Sequence, residues 1–535
     1  MSGSPASTIR FNDVTSRSGI TYHWSVAKRP MRIIDAIGGG CAFVDYDCDG
    51  WLDILLVGPS RVALFHNERN GHFREVTDAA GMGNLKGVWM GCACGDVDGD
   101  GRPDILLTGY RRLALLRNEP GGKFTDVTIA MGLDPGNRMH WGLSAGFMDL
   151  DGGGWPSLVL TNYVDYGPAA EQYCEIRPGI RSGCPPNHYR PEYAEIWRNF
   201  GGKRFKDVSR ECGIWPLHGN SMTVAFADTG ASGRVDFYIG NDGKPAELIR
   251  NLGQMRFRNV GRESGAAYNN MGHAIAAMGA DWGDYDRDGR PDLAITAFSD
   301  EPFSLLHNAG HGILEYASDQ TGIMGATYTS LGFGAKWLDM DNDGWMDIAF
   351  SNGHVYDNAD LLYPGTSFRQ PIMLFHNVDG SGGRHFVDEC PHQETDVNRS
   401  LLGRGLAAGD YDNDGRVDLL VVDYEGSPLL LHNISTSGNH WITIELRGEG
   451  HNRLAYGAKV EARSSNLSGM WSSMVSPAGS FLSSSDSRVH FGLGRTAVLD
   501  ELRIRWPNGR VQEMKNVKAD RFVRIQEPPP DHRLP

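Results

Sequence analysis

One nine-residue pattern recurs along this chain and constrains its fold more than any other feature. Asp-x-Asp-x-Asp-Gly-x-x-Asp is complete five times: Asp45, Asp47, Asp49, Asp53; Asp96, Asp98, Asp100, Asp104; Asp284, Asp286, Asp288, Asp292; Asp339, Asp341, Asp343, Asp347; and Asp410, Asp412, Asp414, Asp418. Two further copies are degenerate. One keeps Asp149 and Asp151 but has Gly153 and Ser157 for the last two acids, and the other keeps Asp228 and Asp236 around Gly230 and Ser232. Successive first aspartates lie 51, 53, 79, 56, 55 and 71 residues apart. About fifty residues hold four short strands with their turns, which is one blade of a β-propeller. The 69 glycines, about twice ordinary usage, fit a chain of many tight turns.

The strands follow from the pattern. A small, Gly-rich apolar stretch precedes each loop, as in Met90–Cys94 and Gly334–Leu338, and an aliphatic run follows it, as in Asp53–Val57 and Asp418–Val422. A third strand ends in Asn (Asn67, Asn118, Asn199, Asn377), a residue suited to satisfying local backbone groups at a turn. The fourth is Phe73–Thr77, with relatives at Phe124, Phe205 and Phe257. The seventh copy lacks this last segment, whereas an unmatched Phe11-Asn-Asp-Val-Thr15 stands near the N-terminus. The expectation is that the N-terminal strand completes the last blade and closes the ring, leaving only short sheet edges.

Carboxylates at positions 1, 3, 5 and 9, a backbone carbonyl at position 7 and a turn-permitting Gly at position 6 make a hard-cation loop. All-oxygen ligation at this count suits Ca²⁺ better than Mg²⁺. An EF-hand would need helical flanks and Glu at position 12, where the first copy has Leu56. About five Ca²⁺ sites of structural character are expected, with weak or no binding in the degenerate loops. The His-Asn pairs at His66, His307, His376 and His432 read as structural repeat positions.

The two long intervals are insertions, Asn162–Glu195 and Asn352–Gln370. Both begin after the second strand of a repeat and should project from one face, where loops on a rigid scaffold commonly carry function. Cys174 and Cys184 bracket a Pro/Gly-rich stretch of the first insertion, and both a disulfide and two free thiols fit that spacing. The other cysteines are too few for a disulfide framework.

The formal net charge is −15, but removing the twenty aspartates of the complete loops turns it to +5. The overall acidic balance argues against nucleic acid as partner, but the acidity is mainly metal ligand and says little more about partners. No apolar run is long enough to span a membrane. Met1–Thr15 is polar and lacks the apolar core of a signal peptide. The expected location is cytoplasmic if the chain is full length, and secreted if a leader has been removed.

Beyond Asn433 the repeat stops, and strands at His440–Leu446, Ala458–Ala462, Arg488–Gly494 and Leu502–Trp506 read as a small β-sandwich. The expected organisation is an all-β chain: a seven-bladed propeller over 9–436, a β-sandwich over 437–528 and a disordered tail over 529–535. The repeats resemble FG-GAP/VCBS repeats, the calcium-loop propeller also seen in integrin α chains. Asn439–Trp441, Gly457–Ala458, Ser480–Asp486, His490–Gly494 and Trp506–Gly509 resemble the ASPIC/UnbV domain. Together they resemble bacterial members of the cartilage acidic protein family, as does the first insertion from Asn162 to Pro186. The UnbV resemblance implies a role in enediyne or polyketide-type natural-product biosynthesis.

No nucleophile elbow, phosphate-binding loop, dinucleotide fingerprint or zinc motif is present. Polar residues upstream of the inner strands should ring the channel mouth: Asp35, Trp89, His140, His218, Asn220, His273, Tyr328 and Arg404. His140, His218, His273, Tyr328 and Arg404 are the catalytic candidates, as acid/base or anion-binding groups. If the chain is an enzyme, they imply a cofactor-independent cyclase or isomerase acting on a polyketide-type substrate. The expected partner is a small-molecule or protein ligand at the channel mouth, and the alternative is a non-catalytic scaffold recognising protein or glycan. An open polar mouth would favour the small-molecule reading, and an apolar plug in the channel would count against it.

Overall fold

The computed structural model describes residues 9–133, 140–167, 169–465 and 469–529, so the expected tail lies outside the described residues from 530 onward. The chain is all-β and propeller-like. Seven four-stranded antiparallel sheets follow one another, their first strands being Gly40–Val44, Trp89–Gly95, Gly142–Met148, Ser221–Ala227, Ala280–Gly283, Gly332–Leu338 and Gly403–Gly409. First strands of neighbouring sheets touch in sequence order, and that of the seventh touches that of the first.

The seventh sheet takes its outer strand from the other end of the chain. Phe11–Asp13 pairs antiparallel with Leu429–Asn433, with Phe11 opposite Asn433. The Thr of the Phe-x-Asp-Val-Thr segment caps the third strand, because its Oγ1 accepts a backbone N–H just past the last strand pair. Thr77 takes Leu64, Thr128 takes Leu115, and Thr15 takes Leu430 across 415 residues at 2.8 Å.

The third-strand Asn reaches further than a local turn. Each of Asn67, Asn118, Asn199, Asn251, Asn308, Asn377 and Asn433 donates through Nδ2 to two carbonyls, at 2.7–3.2 Å. One carbonyl belongs to its own Asp loop, and the other to the second position of the preceding sheet's loop. Buried carbonyls need such partners, and one side chain serves two sheets at once.

Residues past the repeats form two sheets. His440–Arg447 runs between Val489–Gly494 and, in parallel, Arg521–Gln526; Trp471–Met474, Lys459–Arg463, Val498–Arg505 and Val511–Lys518 make the other. They share a core of Ile442, Ile444, Val460, Leu502 and Ile504, continuous with Phe147, Phe226 and Phe237 of the repeats. The strands Trp471–Met474, Val511–Lys518 and Arg521–Gln526 are absent from the sequence expectation, because two of them alternate exposed polar residues with few buried ones.

Between the two sheets' strands, Ser480–Asp486 enters the axis of the repeats. Ser480 bridges to Ala280, the Leu482 carbonyl accepts the Cys92 N–H, and Ser484 bridges to Ala42. Leu482 N–H donates to Ser144 Oγ, Thr223 Oγ1 donates to the Ser480 carbonyl, Ala408 N–H to Ser485 Oγ, and the Phe481 ring lies 4.9 Å from that of Phe333. Every first strand is touched. The small residues of those strands are thereby explained: a Cβ on Gly40 would lie 2.2 Å from the Leu482 carbonyl oxygen, and one on Gly91 2.9 Å from Leu482 Cα.

Candidate metal loops and the cavity beneath the insertions

In the first loop the Asp45 carboxylate accepts the N–H groups of Asp49 and Gly50, both at 2.9 Å, and Asp49 Oδ1 accepts that of Trp51. The position-9 residue Asp53 is buried; it accepts the Asn67 N–H at 2.8 Å and the Tyr46 N–H at 3.2 Å. The oxygens that take these backbone N–H groups each retain a lone pair for a cation, whereas Asp49 Oδ2 already accepts two N–H groups of Arg69. The position-3 carboxylates are the least satisfied: Asp98 Oδ1 and Asp412 Oδ1 are buried with no hydrogen-bond partner.

Burial, with repulsion between neighbouring aspartates, pushes Asp53 up to about 9 and Asp104, Asp284 and Asp410 up to about 8. A bound divalent cation would supply the positive charge that this clustering calls for. The donor set and the orphaned oxygens both fit Ca²⁺, which positions 1, 3, 5 and 9 of a complete loop would hold.

The recurring histidines are closer to this chemistry than their place in the repeat suggests. His66 Nδ1 lies 3.3 Å from Asp47 and 3.2 Å from Asp53; His307 and His432 stand likewise against Asp286 and Asp292, and Asp412 and Asp418. The degenerate loops substitute protein donors. Arg198 donates to Asp151 at 2.8 Å, and Thr229 Oγ1 donates to Asp236 at 2.6 Å.

The five catalytic candidates do not converge on the cavity described below. His140 Nδ1 is 2.9 Å from Glu192, and His218 Nδ1 is 3.0 Å from Glu247, whose hydrogen bond raises the imidazole above its ordinary value. His273 and Tyr328 are exposed. Arg404 is wholly buried; its guanidinium donates to the carbonyls of Ala36, Gly353, Gly403 and His354 and stacks over Phe333. It clamps backbone and has no open face for an anion. Of the remaining mouth residues, Trp89 is buried, Asp35 is paired with Arg32, and Asn220 alone meets the cavity described next.

The two insertions meet on one face. In the first, Val164–Asp165 pairs with Arg190–Pro191, Tyr173–Arg177 forms a hairpin with Ile180–Gly183, and Cys174 and Cys184 are disulfide-bonded. The second contributes the short helix Ala359–Leu362, and Asn358 Nδ2 donates to the Arg181 carbonyl of the first. Beneath them lies a cavity of about 350 Å³, lined by Met31–Ile33, Tyr163, Cys184, Asn220, Asp242, Met278, Phe298, Glu301, Phe333, Tyr356 and Tyr363. Its rim includes the exposed Asn187 and Gly243. Tyr163 O–H donates to Asp242 Oδ2 at 2.6 Å, and Ala276 N–H to Glu301 Oε2 at 2.9 Å. Burial pushes Asp242 up to about 6 and raises Glu301. None of His140, His218, His273, Tyr328 and Arg404 lines it.

Comparison with known proteins agrees with this architecture. The FG-GAP-like repeat family matches residues 45–107, 96–160, 231–295 and 284–350, and the ASPIC and UnbV family matches 448–531. Cartilage acidic protein 1 of Mus musculus is 23% identical over 502 residues, covering 88% of this chain and 71% of that protein. The chain carries FG-GAP repeats and an ASPIC/UnbV domain and is homologous to cartilage acidic protein 1. The Homo sapiens cartilage acidic protein 1 is likewise 23% identical, over 522 residues, covering 91% of this chain and 71% of its own length. Among solved structures, an Agrocybe aegerita lectin that recognises non-reducing terminal N-acetylglucosamine aligns with TM-score 0.38 and 18% identity, covering 66% of this chain and 80% of the lectin. YCF48 bound to D1 peptide aligns with TM-score 0.40 and 10% identity, covering 77% and 97%. In this FG-GAP, ASPIC/UnbV chain, the segment Ser480–Asp486 that carries the ASPIC/UnbV resemblance is also the one that occupies the axis of the FG-GAP sheets.

Proposed function

We propose that this chain is a calcium-loaded recognition propeller that binds a small molecule under its two insertions. The seven sheets act as blades of a ring closed by Phe11–Asp13, five Ca²⁺ ions stiffen the complete loops, and residues 437–528 form a sandwich that plugs the axis from the opposite side. Bound Ca²⁺ neutralises the clustered aspartates and cross-links each loop.

The observation that carries this reading is the cavity of about 350 Å³, a volume within the range of small-molecule sites. Phe333 lines it, backed by Phe481 and Leu482 in one apolar cluster, so the site is a blind pocket and no through-channel. The apolar plug counts against a small molecule bound in the channel itself, which confines this reading to the pocket at the mouth. A natural-product-type ligand, as the UnbV resemblance implies, matches this size. Should the bound molecule be converted, the groups in reach are Tyr163, Asp242 and Glu301, which replace the five catalytic candidates in that role.

Ala276 lines the pocket, and Ala276→Phe fills it. Small molecules that raise the melting temperature of the wild-type protein should lose that effect in the variant. Equal stabilisation of both proteins would remove the pocket as the binding site.

A further inference from the structure

The lining of this pocket is specific about the charge it would accept. Three acceptor side chains reach it from separate elements: Asp242 after the second strand of the fourth sheet, Glu301 after that of the fifth, and Asn220 ahead of the fourth sheet. Asn220 is 1% exposed, its Nδ2 is spent on the Asp242 carbonyl at 3.1 Å, and its Oδ1 has no hydrogen-bond partner. An orphaned buried acceptor calls for a donor. Among the described residues neither Asp242 nor Glu301 forms an ion pair.

Two basic residues line the same pocket. Arg32 commits its guanidinium to Asp35, with Nε at 2.6 Å and Nη2 at 2.7 Å from the carboxylate. Lys244 is then the one remaining cation against two carboxylates among the described lining residues. Around these acceptors stand the rings of Tyr163, Phe298, Tyr356 and Tyr363; Phe298 lies 5.4 Å from Tyr363 and 6.3 Å from Tyr356. Aromatic faces attract cations, and Tyr363 already holds the Arg177 guanidinium 5.7 Å from its centre.

We infer that the pocket binds a protonated primary amine carried on an apolar body. The ammonium N–H groups bond Asp242, Glu301 and Asn220 Oδ1, and the apolar body packs against the aromatic wall. This rests on the proposed small-molecule reading of the pocket and adds the ligand class. A carboxylate or phosphate ligand would meet like charge and an acceptor with nothing to accept.

The test uses the full chain at pH 8 with Ca²⁺ present and three probes of similar size: phenethylamine, 2-phenylethanol and 3-phenylpropanoate. Calorimetric titration should show the amine binding at least about tenfold more tightly than the alcohol, the scale of one charge-assisted hydrogen bond, with the acid weakest. Asp242→Asn and Glu301→Gln, each checked for an unchanged far-UV spectrum, should bring amine and alcohol to within about twofold. Binding of all three probes with no preference for the amine, or tightest binding of the acid, overturns the ligand class and leaves the pocket reading intact. Failure of all three to bind at millimolar concentration overturns the pocket reading itself. The comparison among probes on the wild-type protein decides the matter even if either variant fails to fold.

Discussion

The side-chain amide of Asn67 donates to the backbone carbonyl of Tyr411 at 2.8 Å, joining the first Asp loop to the last across 344 residues. It is one of seven equivalent staples, and the one that returns the series to its start. Together with the Thr15–Leu430 bond, it ties the first sheet and the N-terminal residues to the last sheet.

Asn67→Ala leaves the Leu52 and Tyr411 carbonyls buried without this donor. The expected loss is about 1–3 kcal/mol per uncompensated group, read as a lower urea midpoint at unchanged slope. Asn433→Ala should behave alike, since it makes the same pair of bonds to Met340 and Val417. Wild-type midpoints in both variants would show that the staples are incidental.

Metal content should follow the loops. The protein as purified in Ca²⁺ should hold about five ions by elemental analysis, the number of complete loops. Asp98→Asn should remove one of them, whereas Asp151→Asn should remove none, because that loop has Gly153 and Ser157 where the complete loops have their last two carboxylates. Chelation should lower the melting temperature. A chelated protein with no metal and an unchanged melt would contradict a structural role.

The metal-free protein should also show an inverted pH dependence. Carboxyls such as Asp45, pushed up to about 6, and Asp53, pushed up to about 9, hold protons in the folded state that an unfolded carboxyl gives up near 3.9. The folded state then binds more protons, so stability falls as pH rises from about 4 to about 9. Ca²⁺ should flatten this fall, and its stabilising effect should grow with pH. Thermal melts in chelator and in Ca²⁺ across that range check the sign; a chelated protein that gains stability between pH 5 and pH 8 would refute it.

Phe481 is fully buried at the axis, against Phe333. Phe481→Ala should cost about 3–5 kcal/mol, the usual range for removing a buried phenyl ring. Because the plug belongs to the C-terminal sheets and contacts all seven first strands, wild-type unfolding should be one cooperative transition. The variant should separate it into two steps by calorimetry. A single transition with an unchanged midpoint would mean that the plug does not couple the two parts.

The disulfide between Cys174 and Cys184 ties the hairpin that overhangs the pocket. The double variant Cys174→Ser with Cys184→Ser should be cut faster by trypsin after the exposed Arg181, while its melting temperature stays within a few degrees, because the bridge closes only a short surface loop. Equal cleavage rates would show that the hairpin is held by other contacts.

How much is legible in the sequence differs between the loops and the pocket. Asp45 to Asp53, the third-strand Asn and the Phe-x-Asp-Val-Thr segment recur at fixed offsets. The bonds within each Asp loop are local, whereas each Asn also reaches the preceding sheet and Thr15 reaches Leu430; recurrence at fixed offsets makes the residues legible, including the pairing of Phe11–Asp13 with the last repeat. The closeness of His66 to its loop is not legible, because strand spacing does not reveal which cross-strand neighbour an imidazole faces. The channel-mouth candidates lie upstream of the first strands. Of these only Asn220 meets the pocket, and other polar groups that line it lie just past the second strands, where Tyr163 follows Asn162 and Asp242 follows Asn241. That offset is present in the repeats and is the signal that points to them.

The sequence by itself determined the repeat, its acidic loops and its small inner strands, because each is written within some fifty residues and repeated. Only the tertiary structure decided that those small strands make room for Ser480–Asp486, that Arg404 is a buried clamp, and that Tyr163, Asn220, Asp242 and Glu301 share one pocket. These groups come from different sheets and insertions. Their meeting depends on how neighbouring sheets pack around Ser480–Asp486, and that packing leaves no periodic trace along the chain.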